Sequence, residues 1–302
     1  MQRFNKLKKQ IFNLVCRSIL ATPPVICCPD SGIVILTQTY HPDLVMCLVA
    51  LKSFARFIQP DHFVIIDDGL LEIDRQILRQ HLTNVRFISA PNVDVGVCPR
   101  CGTWERLVTI SRLCADHYVI QVDSDTVTVS PPDEVMACLA DHRCFTLSTR
   151  QGREFIPALE ASRFAEQVKS EHVQILAERA LATLPDVATK RYIRGCSGFA
   201  GFARSAVSVD DLETFSKWIA GVIGMDRWRG WGSEQVTSNF LIANTTNPLA
   251  LPFERYPYFH PEIPLDEARI IHFIGEHRFH GMDYMRHVRK VIAGIAKKSS
   301  AS

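Results

Sequence analysis

The stretch HYVIQVDSDTVTV, residues 117–129, ends an apolar run with two carboxylates separated by one residue. Burying a carboxylate is costly unless it is paired, hydrogen-bonded or bound to a cation. Asp123 and Asp125, at i and i+2 on a turn, can both direct oxygen atoms at one hard divalent ion such as Mn2+ or Mg2+. Such an ion would neutralise the diphosphate of a nucleotide. A capped turn is the alternative, because Asp and Ser are ordinary turn residues and Ser130-Pro131-Pro132-Asp133 opens the next helix. The apolar strand before the acids and TVTV after them favour the first reading, since together they place the acids at the edge of a sheet.

The elements that must hold these residues follow an alternating rhythm. GIVILTQ, HFVIIDDG, NVRFISAP and HYVIQVDSD read as strands, with helical patterns over 43–57, 71–82 and 103–115 between them. Near-continuous apolar strands separated by helices predict an α/β protein with a mostly parallel sheet and helices on both faces. In such sheets ligands bind outside the carboxyl ends of the strands. Thr37, Gln38 and Tyr40 fall there, as do Asp67 and Asp68 and the segment Asp123-Ser124-Asp125. Beyond residue 131 the pattern gives a helix, the strand CFTLSTR, a polar helical insertion near 150–190 and the glycine-punctuated strand GCSGFAGF.

The chain has 302 residues, 47% hydrophobic and 22% charged, an ordinary globular balance. A net charge of +2 gives no general reason to expect nucleic acid as a partner. The ten cysteines lack the spacing of a small disulfide scaffold, which favours a reducing cytoplasm. Cys98-Pro-Arg-Cys101 is half of a zinc knuckle, and no second C-x-x-C completes it. Residues 1–30 read as a basic amphipathic segment and linker, and 31–302 as one domain ending in a basic helix. Lys6, Lys8 and Lys9 lead an apolar face of Ile11, Leu14, Val15 and Ile19. Arg286, Arg289, Lys290, Lys297 and Lys298 flank Tyr284, Val288, Ile292 and Ile295. Each end reads either as a helix packed on the domain or as a weak contact with an anionic membrane surface, which would make the protein peripheral at the cytoplasmic face.

The helix carrying Arg106 followed by YVIQVDSDTVTV resembles the DxD region of nucleotide-sugar glycosyltransferases of the GT-A fold, most closely family 8, the glycogenin and lipopolysaccharide-galactosyltransferase type. Residues His272, Gly275 and Arg278 are similar to that family's H-x-x-G-x-x-K, with Arg in place of Lys. The resemblance implies that His272 joins Asp123 and Asp125 as a Mn2+ ligand and that Arg278 grips the diphosphate. It implies that Tyr40 packs on the nucleobase, that Asp67 and Asp68 contact base or ribose, and that Arg106 approaches the donor sugar. Glu234-Gln235 resembles the D-Q pair beside the anomeric carbon. The resemblance spans residues 31–280 in separated motifs, with departures: Cys196-Ser197-Gly198 replaces an Asn-containing segment, and Pro-Trp after the basic residue is missing.

The expectation is therefore a metal-dependent transferase that moves a sugar from a nucleoside-diphosphate donor, UDP-linked by the resemblance, to a glycan, lipid-linked or other acceptor with retention. WGSEQ also resembles a segment of inverting GT-A enzymes, which would make Glu234 the catalytic base. A non-catalytic carbohydrate- or nucleotide-binding relative would have lost a metal ligand, and all three candidates are present. A nucleotidyltransferase would carry a glycine-rich loop where this chain has TQTYHP.

Overall fold

The computed structural model describes residues 2–299. In chain order the helices are α1 (Gln2–Cys16), α2 (Leu44–Ala55), α3 (Glu72–His81), α4 (Trp104–Leu113), α5 (Asp133–Ala140), α6 (Ala158–Glu166), α7 (Val173–Ala180), α8 (Val209–Ile223), α9 (Met225–Trp228), α10 (Ser233–Ala243) and α11 (Asp283–Ser299). The strands are β1 (Ile33–Thr39), β2 (His62–Asp67), β3 (Val85–Ser89), β4 (Tyr118–Val122), β5 (Thr126–Thr128), β6 (Phe145–Leu147), β7 (Ile156–Pro157), β8 (Arg191–Tyr192), β9 (Cys196–Phe202), β10 (Leu249–Leu251) and β11 (Ile270–His272). The class is mixed α/β with a mainly parallel central sheet and packed helices, as the alternating pattern predicts.

The chain forms two compact units. The first comprises Met1–Ser89, Val122–Met136 and Glu254–Ser302. In it β1 pairs in parallel with β2, and β2 with β3, so that Thr39, Asp67 and Ser89 come level at the carboxyl ends. Every residue of α2 is buried, which explains its nearly unbroken apolar sequence LVMCLVALKSFA. Its one charged side chain, Lys52, donates to the Thr22 and Pro23 carbonyls and lies 2.9 Å from His81 Nδ1. Burial pushes its pKa down to about 8. A separate antiparallel pair, β5 with β11, sets Thr126 opposite His272.

Helices α1 and α11 pack on one another and on α2. Tyr284, Val288, Ile292 and Ile295 are all buried there. The apolar face of α11, read from sequence as a candidate membrane contact, is thus used inside the unit. On α1, Ile19's neighbour in pattern, Leu14, is 74% exposed, and Ile11 is also exposed. Among the described residues no helix is long and apolar enough to cross a membrane. The side chains of Lys6 and Lys298 and the tail at 300–302 lie outside the described residues.

The second unit comprises Ala90–Gln121 and Ala137–Phe253. Its strands follow the order β10-β6-β9-β4, with β6 parallel to β10 and antiparallel to β9. Residues 150–190, read from sequence as a helical insertion, contain the packed α6–α7 pair and the short β7–β8 ladder. Trp104 and Trp228 meet edge to face at 5.8 Å and are fully buried. All ten cysteines are free thiols, and Cys101 Sγ donates to the Arg229 carbonyl at 2.8 Å.

Ser53, on the buried α2, holds β5 in place: its hydroxyl donates to the Ala50 carbonyl and accepts from the Thr128 N–H at 3.0 Å. Ser53→Ala leaves that buried N–H without a partner, an expected loss of about 1–3 kcal/mol of unfolding free energy. Urea denaturation measures it; a midpoint unchanged within error would show that the bond does not anchor β5.

Candidate metal and nucleotide site

The first unit gathers the DxD acids and His272 by backbone pairing. After β4 the chain turns, with Thr126 donating from its N–H and its hydroxyl to the Asp123 carbonyl. β5 then pairs with β11, and the Phe273 N–H donates to the Asp125 carbonyl at 2.9 Å. Two segments almost 150 residues apart are thereby locked side by side. One potential ligand atom from each of Asp123, Asp125 and His272 lies within 4.8 Å of the others. His272 Nε2 is 3.0 Å from Asp125 Oδ1 and 4.0 Å from Asp123 Oδ2.

The electrostatics centre on Asp125. Its side chain is buried, which by itself raises a carboxyl pKa, but the charges of His272 and Arg278 outweigh burial and hold it down to about 2. The Arg278 guanidinium donates to Asp125 Oδ2, and its Nε donates to the Phe273 carbonyl at 2.7 Å. Gly275, three residues earlier, has φ +70°, a conformation that L side chains rarely adopt, so the turn bringing Arg278 back to Asp125 favours glycine. Two carboxylates with an imidazole form an oxygen-rich set with one borderline donor, which suits Mn2+ or Mg2+ better than a thiolate-seeking metal. These residues fit the cation that the motif implies.

The remaining first-unit candidates divide. Tyr40 is 41% exposed at the end of β1. Ser124 Oγ donates to Thr39 Oγ1 at 3.2 Å, joining the DxD turn to that strand. Gln38 donates to the exposed Asp68 at 3.2 Å. Asp67, by contrast, is occupied: Oδ1 accepts from the Gly69 and Leu70 N–H groups, and Oδ2 pairs with Arg75. It shapes the turn into α3, leaving Asp68 as the acid open to a ligand. Thr37 lies level with Ile65 in the β1–β2 pair and has no exposed surface. On a strand buried on both faces, sequence alternation gives no sign of which residue turns inward.

Arg106, Glu234 and Gln235 form a cluster of their own in the second unit. Thr103 and Ser197 hydroxyls donate to Glu234 Oε2 at 2.9 and 3.2 Å, and Arg106 Nη2 lies 3.4 Å from the same oxygen. Both charged side chains are nearly fully buried. Gln235 Oε1 accepts from the Ser197 N–H at 3.2 Å. Nothing in the sequence marks Thr103 and Ser197 as partners of Glu234, because a hydroxyl that serves a carboxylate across 131 or 37 positions leaves no local signal.

No family model matches this sequence, and no curated protein matches it. Solved structures do. The chain is similar to the apo structure of the bifunctional glycosyltransferase WbbM, with a TM-score of 0.56 at 15% identity, covering 91% of this chain and 53% of that one. It is similar to the galactosyltransferase LgtC in complex with donor and acceptor sugar analogues, with a TM-score of 0.53 at 12% identity, covering 86% and 95%. This chain has the fold of the GT-A glycosyltransferases. It spans about half the length of WbbM, and at these identities the likeness establishes the fold alone.

The Asp125 environment carries a pH signature. A carboxyl whose pKa is depressed in the folded state contributes stability that is complete above its unfolded value, near 4, and is lost as pH falls toward about 2. Asp125→Asn removes that contribution, on the order of 2 kcal/mol for a shift of this size. The variant is expected to be less stable than the native protein at pH 6, with the gap narrowing between about pH 4 and 2. Equilibrium unfolding across that range checks this; a gap independent of pH would contradict it.

Proposed function

We propose that the protein is a metal-dependent glycosyltransferase that uses a nucleoside-diphosphate sugar, of the family 8 type, with residues 31–302 as its glycosyltransferase domain. The observation that carries the reading is the convergence of Asp123, Asp125 and His272 beside Arg278 at the end of a GT-A strand. Asp123, Asp125 and His272 would hold a divalent cation, which would supply positive charge to neutralise the departing diphosphate. Arg278 adds a planar guanidinium suited to phosphate oxygens. Tyr40, with Gln38 and Asp68 beside it, offers a ring for the nucleobase and polar atoms for the ribose. The donor read from the resemblance is a UDP-sugar, and the acceptor a glycan, lipid-linked saccharide or other hydroxyl compound. The ten cysteines suit a reducing compartment such as the cytoplasm.

Retention is the stereochemistry this reading favours. An inverting mechanism needs a carboxylate free to take the acceptor's proton. Glu234 Oε2 instead accepts from two hydroxyls and pairs with Arg106, an arrangement that fits holding the cluster rigid. Gln235 is then the residue proposed to face the oxocarbenium-like sugar through its amide oxygen, with the Ser197 N–H fixing that amide's orientation.

Incubation with a panel of nucleotide sugars and Mn2+ tests the proposal. Donor hydrolysis or transfer is expected with at least one UDP-sugar, abolished by EDTA and reduced roughly 10²–10³-fold in Asp125→Ala, the scale of losing a principal electrostatic stabiliser. Turnover that survives both treatments would sink metal dependence. Proton NMR of the first product is expected to show the donor's anomeric configuration retained. Glu234→Gln should then lower the rate only modestly, whereas a lost general base would cost roughly 10²–10⁴-fold.

A further inference from the structure

The N-terminal helix reaches into the candidate donor site. Lys9, Phe12 and Asn13 stand at i, i+3 and i+4, on one face of α1. Phe12 has no exposed surface; its ring centroid lies 4.3 Å from that of Tyr284 and 5.8 Å from that of Phe279. Phe279 follows Arg278, and Tyr284 stacks at 4.1 Å on Phe273, the residue after His272. Asn13 Nδ2 donates to the Pro42 carbonyl at 3.3 Å. With the helix anchored in this way, Lys9 Nζ donates to the Tyr40 hydroxyl at 2.9 Å, ion-pairs with Asp43 and sits 4.8 Å from the centre of the Tyr40 ring.

Tyr40 is therefore partly exposed yet tethered by Lys9 at its hydroxyl and over its ring, and the tether comes from a helix outside the alternating strand–helix pattern that supplies the site's other residues. A tethered aromatic loses less rotamer freedom when a ligand stacks on it. The Lys9 ammonium is itself engaged by a carboxylate and a phenol, which commits it to holding this corner rather than to gripping phosphate.

We propose that α1 is a working part of the donor site, with Lys9 as the positioning residue that fixes Tyr40 as the platform for the donor's nucleobase. The inference rests on the nucleotide-sugar reading given above. It assigns a role to the basic N-terminal segment that neither a linker nor a membrane contact supplies, and it makes base affinity depend on a residue 31 positions upstream of the ring.

The test compares UDP, GDP and inorganic pyrophosphate binding by calorimetry in saturating Mn2+, using the 302-residue chain. Lys9→Met is expected to weaken the better-bound nucleoside diphosphate roughly three- to tenfold, the scale of one rotamer-rich side chain left unfixed. Pyrophosphate affinity should change less than about twofold, and Lys9→Arg should restore most of the loss. Tyr40→Phe keeps the ring, removes the tether and guards against a folding defect at Lys9. It should reproduce the nucleotide-selective loss, and adding Lys9→Met to it should have little further effect. Unchanged nucleotide affinity in both variants, or an equal loss for pyrophosphate, would overturn the role of Lys9 while leaving the donor site standing. A native protein that binds neither nucleotide with Mn2+ would overturn the donor reading and this inference together.

Discussion

A buried carboxylate must be compensated, and in this protein the compensation of Asp125 joins distant parts of the chain. The acid ends a turn after an apolar strand, where burial alone would neutralise it. Two cationic or potentially cationic groups from the far end of the sequence, His272 and Arg278, keep it ionised. For them to arrive, β11 must pair with β5, and for β5 to be positioned, α2 must lie buried behind it with Ser53 bonded to Thr128. The apolar burial of α2, the β5–β11 ladder and the glycine turn at 275 thus serve one electrostatic requirement. A carboxylate kept ionised is also what a divalent cation seeks, so the same arrangement suits the proposed metal site.

Another buried charge pair, Arg106 with Glu234, follows the same physics, and among the described residues it belongs to no metal-ligand set. Its carboxylate is satisfied by hydroxyls and a guanidinium. Such pairs contribute little net stability compared with apolar side chains of equal size, yet breaking one partner is expensive because the other is left uncompensated. Their value lies in fixing geometry, here that of Gln235 and Ser197.

Much of this was legible in the sequence, and the reasons are specific. The strands around residues 33–39, 62–67 and 118–122 announce themselves as apolar runs, and their carboxyl ends carry the Tyr40, Asp68 and Asp123–Asp125 positions. The GT-A resemblance rested on two motifs separated by nearly 150 residues, and the β5–β11 ladder places them together. Facing was harder to read. Nothing in TQTY or IIDDG tells that Thr37 is buried, or that Asp67 rather than Asp68 bonds the Gly69 and Leu70 N–H groups. An amphipathic helix has the same pattern whether it covers protein or lipid, so the burial of the α11 face shows only in the fold. The Lys9–Tyr40 contact joins elements with no shared periodicity and has no sequence signature at all.

The central claim, that Asp123, Asp125 and His272 together hold one divalent cation, is tested most directly by looking at the metal's ligands. Mn2+ bound to the protein, examined by pulsed electron paramagnetic resonance, is expected to show one ion per chain with a coupling from a directly bonded imidazole nitrogen. That coupling should vanish in His272→Gln, and binding itself should fail in Asp125→Ala while the circular dichroism spectrum stays native. Mn2+ that shows no nitrogen coupling, or that binds equally well to Asp125→Ala, would contradict the account.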